Sequence, residues 1–303
     1  MRVLNFGSLN TDYVYRIDEF LLPGETKPAL SRNIIPGGKG LNQSVALACA
    51  GAEVYHAGII GNDGKLLRDF LLKNNVHVDY LLTDNEVGGH TIIQVDKNGQ
   101  NKIILFGGTN RKFSRQFIDK TLTGFGRGNI LLVQNETNLV DYIIERASEK
   151  KLKTVFNAAP IGKDVINYPL DLVDWLIVNE VEGAELAGTD NPEDILKNLG
   201  EKYKNTTIFL TLGPEGCCCR SKDGIVKMGA VPVEKVVDTT AAGDAFIGYL
   251  IKAHIDGLSI EEAMLKASVA SSLSIQKFGA ATSIPSSGEV EKALLELKSG
   301  NII

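Results

Sequence analysis

A run of small residues before Asp244 is the strongest sign of chemistry in this 303-residue sequence. Val237–Phe246 reads VDTTAAGDAF and leads directly into an apolar stretch with helical character. At a helix N-terminus, the backbone N–H groups of Ala241, Ala242 and Gly243 would form an anion hole, and the helix dipole would add positive potential. A carboxylate beside such a hole can accept a hydroxyl proton while the amides stabilise a moving phosphoryl group. The pattern indicates phosphoryl transfer, although a carboxylate that only complements a helix dipole would look the same.

Two loops near the N-terminus carry groups suited to binding hydroxyls. Pro36–Gln43 reads PGGKGLNQ and precedes a predicted helix, and its glycines would let the backbone approach a ligand closely. Within it, Lys39 and Asn42 can form hydrogen bonds with hydroxyls. Asn10 and Asp12 follow the first predicted strand and form a donor–acceptor pair that suits the vicinal hydroxyls of a sugar. Ordinary turns stabilised by Asn and Asp side chains remain the alternative for both loops.

Two further loops come directly after predicted strands, at Thr211–Gly216 and at Asn179–Glu182. In parallel sheets, ligands bind beyond the carboxyl ends of the strands, so both loops are candidates for a binding site. Acidic residues in the first turn of an exposed helix would also explain the second loop. No Gly-Lys pair completes a P-loop, since no Ser or Thr follows the lysine, and Gly124–Gly128 precedes a strand where a dinucleotide loop would open a helix.

The composition excludes several classes of protein. The net charge of −5 argues against nucleic-acid binding, because phosphate contacts need a basic face. No apolar run approaches the roughly 18 residues that span a bilayer, and Met1–Asp18 shows no leader segment. We therefore expect a cytoplasmic protein without a membrane partner. Cys49 and the adjacent Cys217, Cys218 and Cys219 lack zinc-site spacing and are interpreted as small buried side chains. The 31 glycines exceed average usage and are expected where backbone turns or meets a ligand.

The elements that must position these loops alternate between strand and helix. From Asn129 onward, short apolar runs alternate with helical patterns, which predicts βαβ units and a mainly parallel sheet covered on both faces. We expect an α/β fold, a three-layer α/β/α sandwich. Tyr13–Ile35 and Gly89–Phe106 break the alternation, and the second of these contains a hairpin signal at Asp96–Gly99. These two segments are predicted to form a small separate β-sheet.

Three motifs together resemble those of the ribokinase-like (PfkB) carbohydrate kinases. They are GGKGxN at Gly37–Asn42, NxxE at Asn179–Glu182 and DTTAAGD at Asp238–Asp244, in the order of the family, and the resemblance runs from Asn10 to Pro285. Within the family, the segments at Pro23–Thr26 and Gly279–Pro285 look like those of ribokinases. The resemblance implies transfer of the γ-phosphoryl group of ATP to the terminal hydroxymethyl group of a sugar, with D-ribose favoured and ribose 5-phosphate as product.

The resemblance also implies a role for individual residues. Asp244 matches the catalytic base, and Ala241, Ala242 and Gly243 match the anion hole. The positions that match sugar-binding residues are Asn10, Asp12, Gly38, Lys39, Asn42, Glu136 and Asp244. The positions that match nucleotide-binding residues are Asn179, Thr211, Gly213, Gly216, Gly243 and Ser268, with Glu182 matching the acid that organises Mg²⁺. Ser268 departs from the family, which usually has Asn or His there.

A monovalent cation, a lid and a dimer follow from the same resemblance. The positions that match the ligands of K⁺ are Asp238, Thr240, Ser274, Lys277, Gly279 and Ser283, partly through backbone carbonyls. Residues 13–35 and 89–106 match a small lid over the sugar, inserted in a core of residues 1–12, 36–88 and 107–303. In ribokinases, two lids pack together into a homodimer.

Two alternatives stay open at this point. The same fold could phosphorylate another acceptor, such as fructose, 2-keto-3-deoxygluconate or a nucleoside such as adenosine. A nucleoside would need an apolar or aromatic wall, which Gly88–Thr91 and Gly107–Asn110 do not visibly supply. A non-catalytic sugar sensor would tolerate loss of the base or the anion hole, and it ranks low because the sequence retains both.

Overall fold

Strands and helices alternate through the part of the chain that the computed structural model describes, residues 1–298. The strands of this part are β1 (Val3–Phe6), β2 (Asn10–Arg16), β3 (Ser31–Gly37), β4 (Val54–Ile60), β5 (His77–Thr83), β6 (Gly89–Val95), β7 (Asn101–Phe106), β8 (Ile130–Gln134), β9 (Lys153–Asn157), β10 (Trp175–Asn179), β11 (Thr207–Thr211), β12 (Cys217–Ser221) and β13 (Gly224–Met228). Its helices are α1 (Lys39–Cys49), α2 (Lys65–Lys73), α3 (Arg115–Leu122), α4 (Val140–Glu149), α5 (Glu180–Ala187), α6 (Pro192–Lys202), α7 (Ala242–Ile255), α8 (Ile260–Ser274) and α9 (Ser287–Lys298).

The larger sheet has the strand order β13-β12-β11-β10-β9-β8-β1-β4-β5. Neighbouring strands from β11 through β1 to β5 pair in parallel, and only the β11–β12 and β12–β13 pairs are antiparallel. The predicted mainly parallel sheet is confirmed. Because parallel strands present their carboxyl ends at one edge, the loops after β1, β8, β10 and β11 gather on the same side of the molecule.

Side chains along each central strand alternate between two buried cores. In β8, Ile130 and Leu132 belong to the core beneath α1, α2, α7, α8 and α9, whereas Leu131 and Val133 belong to the core beneath α3, α4, α5 and α6. Each of these four side chains is at most 1% exposed, so each contributes about 1.5–3 kcal/mol through burial. Helices therefore cover both faces of the sheet, which confirms the predicted three-layer sandwich.

Close packing of α1 against α7 brings the starts of these two helices together. Gly248 of α7 faces Ala46 of α1 so closely that a Cβ at Gly248 would lie 2.4 Å from the Ala46 Cβ. Most residues of both helices are buried, with Gly40–Leu47 of α1 and Asp244–Ile251 of α7 forming continuous buried stretches. As a result, the glycine-rich loop before α1 and the small-residue loop before α7 lie side by side.

A second sheet, with the order β3-β2-β6-β7, is present as the sequence predicted. The β6–β7 hairpin turns at Asp96–Gly99, where the Gly99 N–H donates to the Asp96 carbonyl at 3.0 Å and Gly99 has a φ of +80°. Strands β2 and β3 extend into this sheet as far as Asn10 and Gly37, paired with each other. The sheet thus includes Asn10–Asp12 and Pro36–Gly37, which the sequence analysis placed in the core.

Two elements escaped the sequence analysis: β5, which is largely exposed, and the short helix α3, which buries Ile118, Thr121 and Leu122. Strand β5 forms the edge of the larger sheet and buries only Leu81 below a tenth of its surface, so it lacks a continuous apolar run. Helix α3 spans eight residues and starts at Ser114, whose hydroxyl accepts a hydrogen bond from the Phe117 N–H at 3.1 Å. Helix α8 begins with a capping box formed by Ser259 and Glu262.

The interpretation of the cysteines as buried side chains is confirmed for three of the four. Cys217, Cys218 and Cys219 lie in β12 with at most 6% exposure, whereas Cys49, at the end of α1, is half-buried. Trp175 of β10 is 6% exposed. Burial raises the pKa of Cys219 to about 12, so this thiol stays protonated at neutral pH. Of the helices within residues 1–298, none combines the length and the apolar character needed to cross a bilayer.

Candidate active site

The start of α1 holds the carboxylate of Asp244 at the start of α7. Asn42 donates from Nδ2 to Asp244 Oδ2 at 3.0 Å, and Gln43 donates from Nε2 to Asp244 Oδ1 at 2.8 Å. Asp244 is 6% exposed. Asn42 Oδ1 is buried and has no hydrogen-bond partner among the described residues, so it keeps an acceptor for a ligand hydroxyl. Asp244 is therefore a buried carboxylate whose two oxygens each accept a hydrogen bond from an amide.

The turn before α7 has the geometry expected of an anion hole. Ala241 has a φ of +62°, a left-handed conformation that residues with a side chain adopt rarely and that often marks functional sites. The first N–H groups of a helix have no partner within it. In α7 the Ala242 N–H donates to the Thr239 carbonyl at 3.3 Å, a long hydrogen bond that an anion could replace, and the Gly243 N–H follows it in the first turn. A Cβ at Gly243 would meet no other part of the described chain within 4 Å, so open space adjoins these amides. An anion could approach them there.

Lys39, the first residue of α1, lies among three carboxylates. Burial alone would lower the pKa of Lys39, but the charges of Asp244, Glu136 and Glu182 together raise it. The backbone N–H of Lys39 also donates to Glu136 Oε2 at 2.9 Å. Gly38 before it has a φ of +92°, which lets the chain turn sharply into the helix. The site thus keeps one ammonium charge next to its candidate base.

Asn10 and Asn110 form a hydrogen-bonded pair at the start of β2. Asn110 Oδ1 accepts from the Leu9 N–H at 2.9 Å, which fixes its Nδ2 as the donor to Asn10 Oδ1 at 2.8 Å. Asn10 therefore presents its own Nδ2 to a ligand. Asn10 and Asn110 line a cavity of about 410 Å³ together with Glu86, Leu105, Phe106, Gly107, Gly108, Arg111 and Glu136. Its polar lining combines Asn10 of β2 with Asn110 and Glu136, and the apolar side chains Leu105 and Phe106 belong to β7.

Asp12 lies in β2, two residues beyond Asn10. Burial raises the pKa of Asp12 to about 6; the hydrogen bond from Thr91 Oγ1 to Asp12 Oδ1, at 2.5 Å, lowers it, and the charge of Glu136 raises it. A Cβ at Gly37 would lie 1.9 Å from Asp12 Oδ2, so only glycine fits beside this carboxylate. Asp12 can therefore change its protonation state near neutral pH.

A second cavity, of about 440 Å³, opens on the other side of the α7 N-terminus. Five predicted nucleotide-binding positions line it, namely Thr211, Gly213, Gly216, Gly243 and Ser268. Its apolar lining comes from residues that the sequence analysis did not select: Val231, Pro232, Val233, Val236, Phe246 and Ile275. Ser268 Oγ lies 3.7 Å from Cys217 Sγ at its wall. An apolar slot that ends at helix N–H groups suits a flat base with a phosphate chain.

Asn179 and Glu182 lie outside the lining of this cavity and form a capping box at the start of α5. Asn179 Oδ1 accepts from the Glu182 N–H at 2.9 Å, and Glu182 Oε2 accepts from the Asn179 N–H at 3.0 Å. Burial raises the pKa of Glu182, while the bond from Asn179 and the charge of Lys39 lower it. The capping role leaves Glu182 Oε1 and Asn179 Nδ2 for other partners.

Five of the six positions predicted for a monovalent cation form two hydrogen-bonded groups, one of three residues and one of two. Asp238 accepts from the Thr240 N–H at 2.9 Å and from the Gly279 N–H at 3.1 Å, which joins the loop before α7 to the loop after α8. Ser274 and Ser283 are fully buried, with their hydroxyls 2.9 Å apart.

The side chain of Lys277, a sixth predicted cation position, forms an ion pair with Glu289 at 2.7 Å. Its backbone carbonyl is the group that remains for a cation. Within residues 1–298 there is no group of three or more His, Cys, Asp or Glu side chains that could hold a metal ion.

Comparison with protein families decides the assignment. The model of the pfkB family of carbohydrate kinases matches residues 2–287. The chain belongs to this family. Members are phosphotransferases with an alcohol group as acceptor, so the chain is a kinase of this type.

Relatives of this pfkB family kinase carry the name ribokinase. The ribokinase of Lactococcus lactis is 34% identical over 304 residues, which cover 98% of each chain. That of Haemophilus influenzae is 32% identical over 294 residues, 93% of this chain and 95% of the other. The structure of Arabidopsis thaliana ribokinase complexed with ribose and ATP superposes with a TM-score of 0.87 at 30% identity, covering 97% of this chain and 98% of the other.

Several side chains that shape the site of this pfkB family kinase were missed by the sequence analysis. Gln43, Thr91 and Asn110 each form a hydrogen bond with a predicted site residue. Gln43 is the last residue of the Pro36–Gln43 motif and directly follows Asn42, so its position in the sequence could have indicated that it belongs to the site. Thr91 and Asn110 had no local signal, because their partners lie far away in the sequence.

Proposed function

We propose that this protein is an ATP-dependent kinase that converts D-ribose to ribose 5-phosphate. The observation that carries the proposal is the position of Asp244 between the two cavities. On one side, Asp244 directly follows Gly243, which lines the apolar cavity. On the other side, Asp244 accepts a hydrogen bond from Asn42 of α1, and the first residue of this helix, Lys39, donates its N–H to Glu136 of the polar cavity. ATP would occupy the apolar cavity and the sugar the polar one. The ribokinase relatives, and the ribose and ATP bound by the Arabidopsis thaliana protein, support both assignments.

In the proposed reaction, Asp244 removes the proton from the 5-hydroxyl group of ribose. That oxygen then attacks the γ-phosphorus of ATP, and the bond from this phosphorus to the β,γ-bridging oxygen breaks, which releases ADP. The N–H groups of Ala242 and Gly243 would stabilise negative charge on the moving group. Hydroxyl groups of the sugar would form hydrogen bonds with Asn10 Nδ2, Asn42 Oδ1 and the Asp12 carboxylate. Gly38 and Glu136 would also contact the sugar.

Lys39 and Glu182 are proposed to serve the phosphate chain. The ammonium of Lys39 would balance the charge that develops on the transferred phosphoryl group. Mg²⁺ prefers oxygen ligands and usually keeps several waters, so one partly free carboxylate beside phosphates fits it. Glu182 Oε1 and the neighbouring Asn179 would hold the waters of Mg²⁺, which neutralises phosphate charge when bound.

A monovalent cation, K⁺ in our proposal, would bind beside the anion hole. Asp238 and Gly279 are already linked there, and the Val237 and Asp238 N–H groups both donate to the Ile275 carbonyl, at 2.8 Å and 3.1 Å. A cation bound by carbonyl groups of these loops, with Thr240, Ser274, Lys277 and Ser283 as the other candidate positions, would stiffen the turn that presents the amides.

We also propose that residues 13–35 and 89–106 form a lid that covers the sugar and joins two chains into a cytoplasmic homodimer. Six large apolar side chains of the strands in this sheet are between 38% and 65% exposed: Ile34, Ile92, Ile103, Ile104, Leu105 and Phe106. Contact with a second lid would bury them, and burial of apolar surface drives association.

The direct test is ATP consumption with a panel of acceptors, with and without K⁺. D-ribose is expected to give the highest kcat/KM, ahead of fructose, 2-keto-3-deoxygluconate and adenosine, and K⁺ is expected to raise the rate. Preference for adenosine would make the protein a nucleoside kinase. No consumption with any acceptor, together with sugar binding, would leave the non-catalytic sensor as the better proposal.

The proposed role of Asp12 predicts a pH dependence of sugar affinity. With a pKa of about 6, Asp12 is ionised at pH 7.5 and accepts sugar hydroxyls, but it is protonated below about pH 6. The KM for ribose is expected to rise as pH falls through this value, by roughly tenfold per unit below it. Initial rates between pH 5 and 8 measure the effect.

Two variants serve as controls for the Asp12 prediction. Asp12→Asn should weaken ribose binding at every pH and remove the acidic limb from the KM profile. Thr91→Val removes the hydrogen bond that lowers the pKa of Asp12, so the limb should move to higher pH. An unchanged limb in Asp12→Asn would show that another group causes it.

A further inference from the structure

Gln43 touches the candidate base from a fully buried position, and it has no group left for a ligand. Its Nε2 donates to Asp244 Oδ1 at 2.8 Å and to Asn157 Oδ1 at 3.0 Å, and its Oε1 accepts from Gln134 Nε2 at 2.7 Å. Its exposure is 0%. Asn42, by contrast, keeps a free buried acceptor beside the same carboxylate. Of the two amides on Asp244, Asn42 is suited to bind sugar and Gln43 only to orient the carboxylate.

Backbone carbonyls dictate which way the Gln43 amide faces. Asn157 donates from Nδ2 to the Ile177 carbonyl at 3.2 Å. A carbonyl can only accept, so the Asn157 amide must turn its Oδ1 toward Gln43. Gln43 must then meet both Asn157 and Asp244 with its Nε2, the end that carries two hydrogens.

A second chain of amides imposes the same orientation from the other side. Asn5 donates from Nδ2 to the Gly40 carbonyl at 2.8 Å, which turns its Oδ1 toward Gln134. Gln134 donates from Nε2 to Asn5 Oδ1 at 2.9 Å and to Gln43 Oε1. Asn5, Gln43 and Gln134 are at most 1% exposed, so water does not compete for these bonds.

Exchanging the positions of Oε1 and Nε2 in the Gln43 amide would raise the free energy of the folded protein. It would set Oε1 against the Asp244 carboxylate and against Asn157 Oδ1, and its Nε2 against the Nε2 of Gln134. Buried polar groups without partners are strongly unfavourable, so one orientation prevails. The Asp244 carboxylate is thereby held by a rigid donor that reaches across from α1.

We propose that Gln43 is a positioning residue for phosphoryl transfer: its buried amide, locked between Asn157 and Gln134, holds the Asp244 carboxylate in the orientation that receives the proton of the acceptor hydroxyl. This inference rests on the proposed function of Asp244 as the base. Gln43 acts through Asp244 and touches neither sugar nor nucleotide, so its loss affects turnover and not binding.

The first test replaces Gln43 with methionine, which has similar length and no hydrogen-bonding amide. Gln43→Met is expected to lower kcat about 10- to 100-fold, because a base that is out of position contributes less to the rate of proton transfer. The KM values for ribose and for ATP are expected to change less than about threefold. Cys49→Ala changes a half-buried side chain at the far end of the same helix, away from the amides around Asp244, and its kcat is expected to equal that of the wild type. Equal kcat in Gln43→Met and the wild type would overturn the proposal.

The second test covers the case in which Gln43→Met does not fold. Gln43→Glu keeps the size of the side chain, and its carboxyl can donate to Asp244 when protonated but repels it when ionised. The ratio of its kcat to that of the wild type is expected to fall as pH rises from about 5.5 to 8. Titrations of Asp12, Lys39 and Glu182 are common to both proteins and cancel in the ratio. A ratio that does not change with pH would contradict the inference.

A double variant separates the inference from the proposed function. In an Asp244→Ala background no carboxylate remains to be oriented, so Gln43→Met is expected to change the residual kcat less than about twofold. An equal fold-loss in both backgrounds would overturn the positioning role. Normal turnover of Asp244→Ala itself would instead overturn the assignment of the base.

Discussion

Replacing Asp244 with alanine or asparagine is expected to lower kcat about 10²- to 10⁴-fold, which is the usual contribution of a general base and corresponds to roughly 3–5 kcal/mol. The KM for ribose should change little, because Asn10, Asp12 and Asn42 supply the proposed sugar contacts. Steady-state kinetics with ribose and ATP measure both constants.

Asp194 offers a matched control for the Asp244 prediction. It also lies in the first turn of a helix, α6, but is exposed and contacts no part of the site. Asp194→Asn is expected to leave kcat unchanged, because a first-turn carboxylate that only complements the helix dipole affects stability and not turnover. Near-normal turnover in both Asp244 variants would mean that Asp244, too, serves only the dipole.

Lys39→Met is expected to lower kcat by about 10²- to 10³-fold. The variant removes a charge that would stabilise the transferred phosphoryl group, and losses of this size follow the removal of such groups. It also leaves Asp244, Glu136 and Glu182 without the cation that balances them, so the pKa of Glu182, which Lys39 lowers, should rise. Lower thermal stability is therefore expected alongside the lower turnover.

The control for Lys39 is Lys65. Both lysines follow a glycine and begin a helix, α1 or α2, but the side chain of Lys65 is 84% exposed and forms an ion pair with Asp69 on its own helix. Lys65→Met should keep the kcat and the thermal stability of the wild type. If Lys39→Met retained its kcat within about twofold, the ammonium would have no part in phosphoryl transfer.

The sequence predicted those features that depend on neighbouring residues. The alternation of apolar strands and helical patterns predicted the α/β/α sandwich, because a strand that is buried on both faces of a sheet consists of a continuous run of apolar residues. The DTTAAGD motif indicated an anion hole beside a carboxylate, because a helix N-terminus is a local structure. The family motifs extended this to a sugar kinase, and the match of the pfkB family over residues 2–287 confirmed the family.

The tertiary structure decided which side chains meet. Gln43 contacts Asp244 across 201 residues of sequence, and Asn110 contacts Asn10 across 100. The apolar wall from Val231 to Val236 joins the nucleotide cavity through the packing of a loop that carries no motif. These contacts follow from how α1 packs on α7 and how the loops meet at one edge of the sheet. Such packing sums many weak long-range interactions, and the spacing of residues along one sequence does not reveal its result.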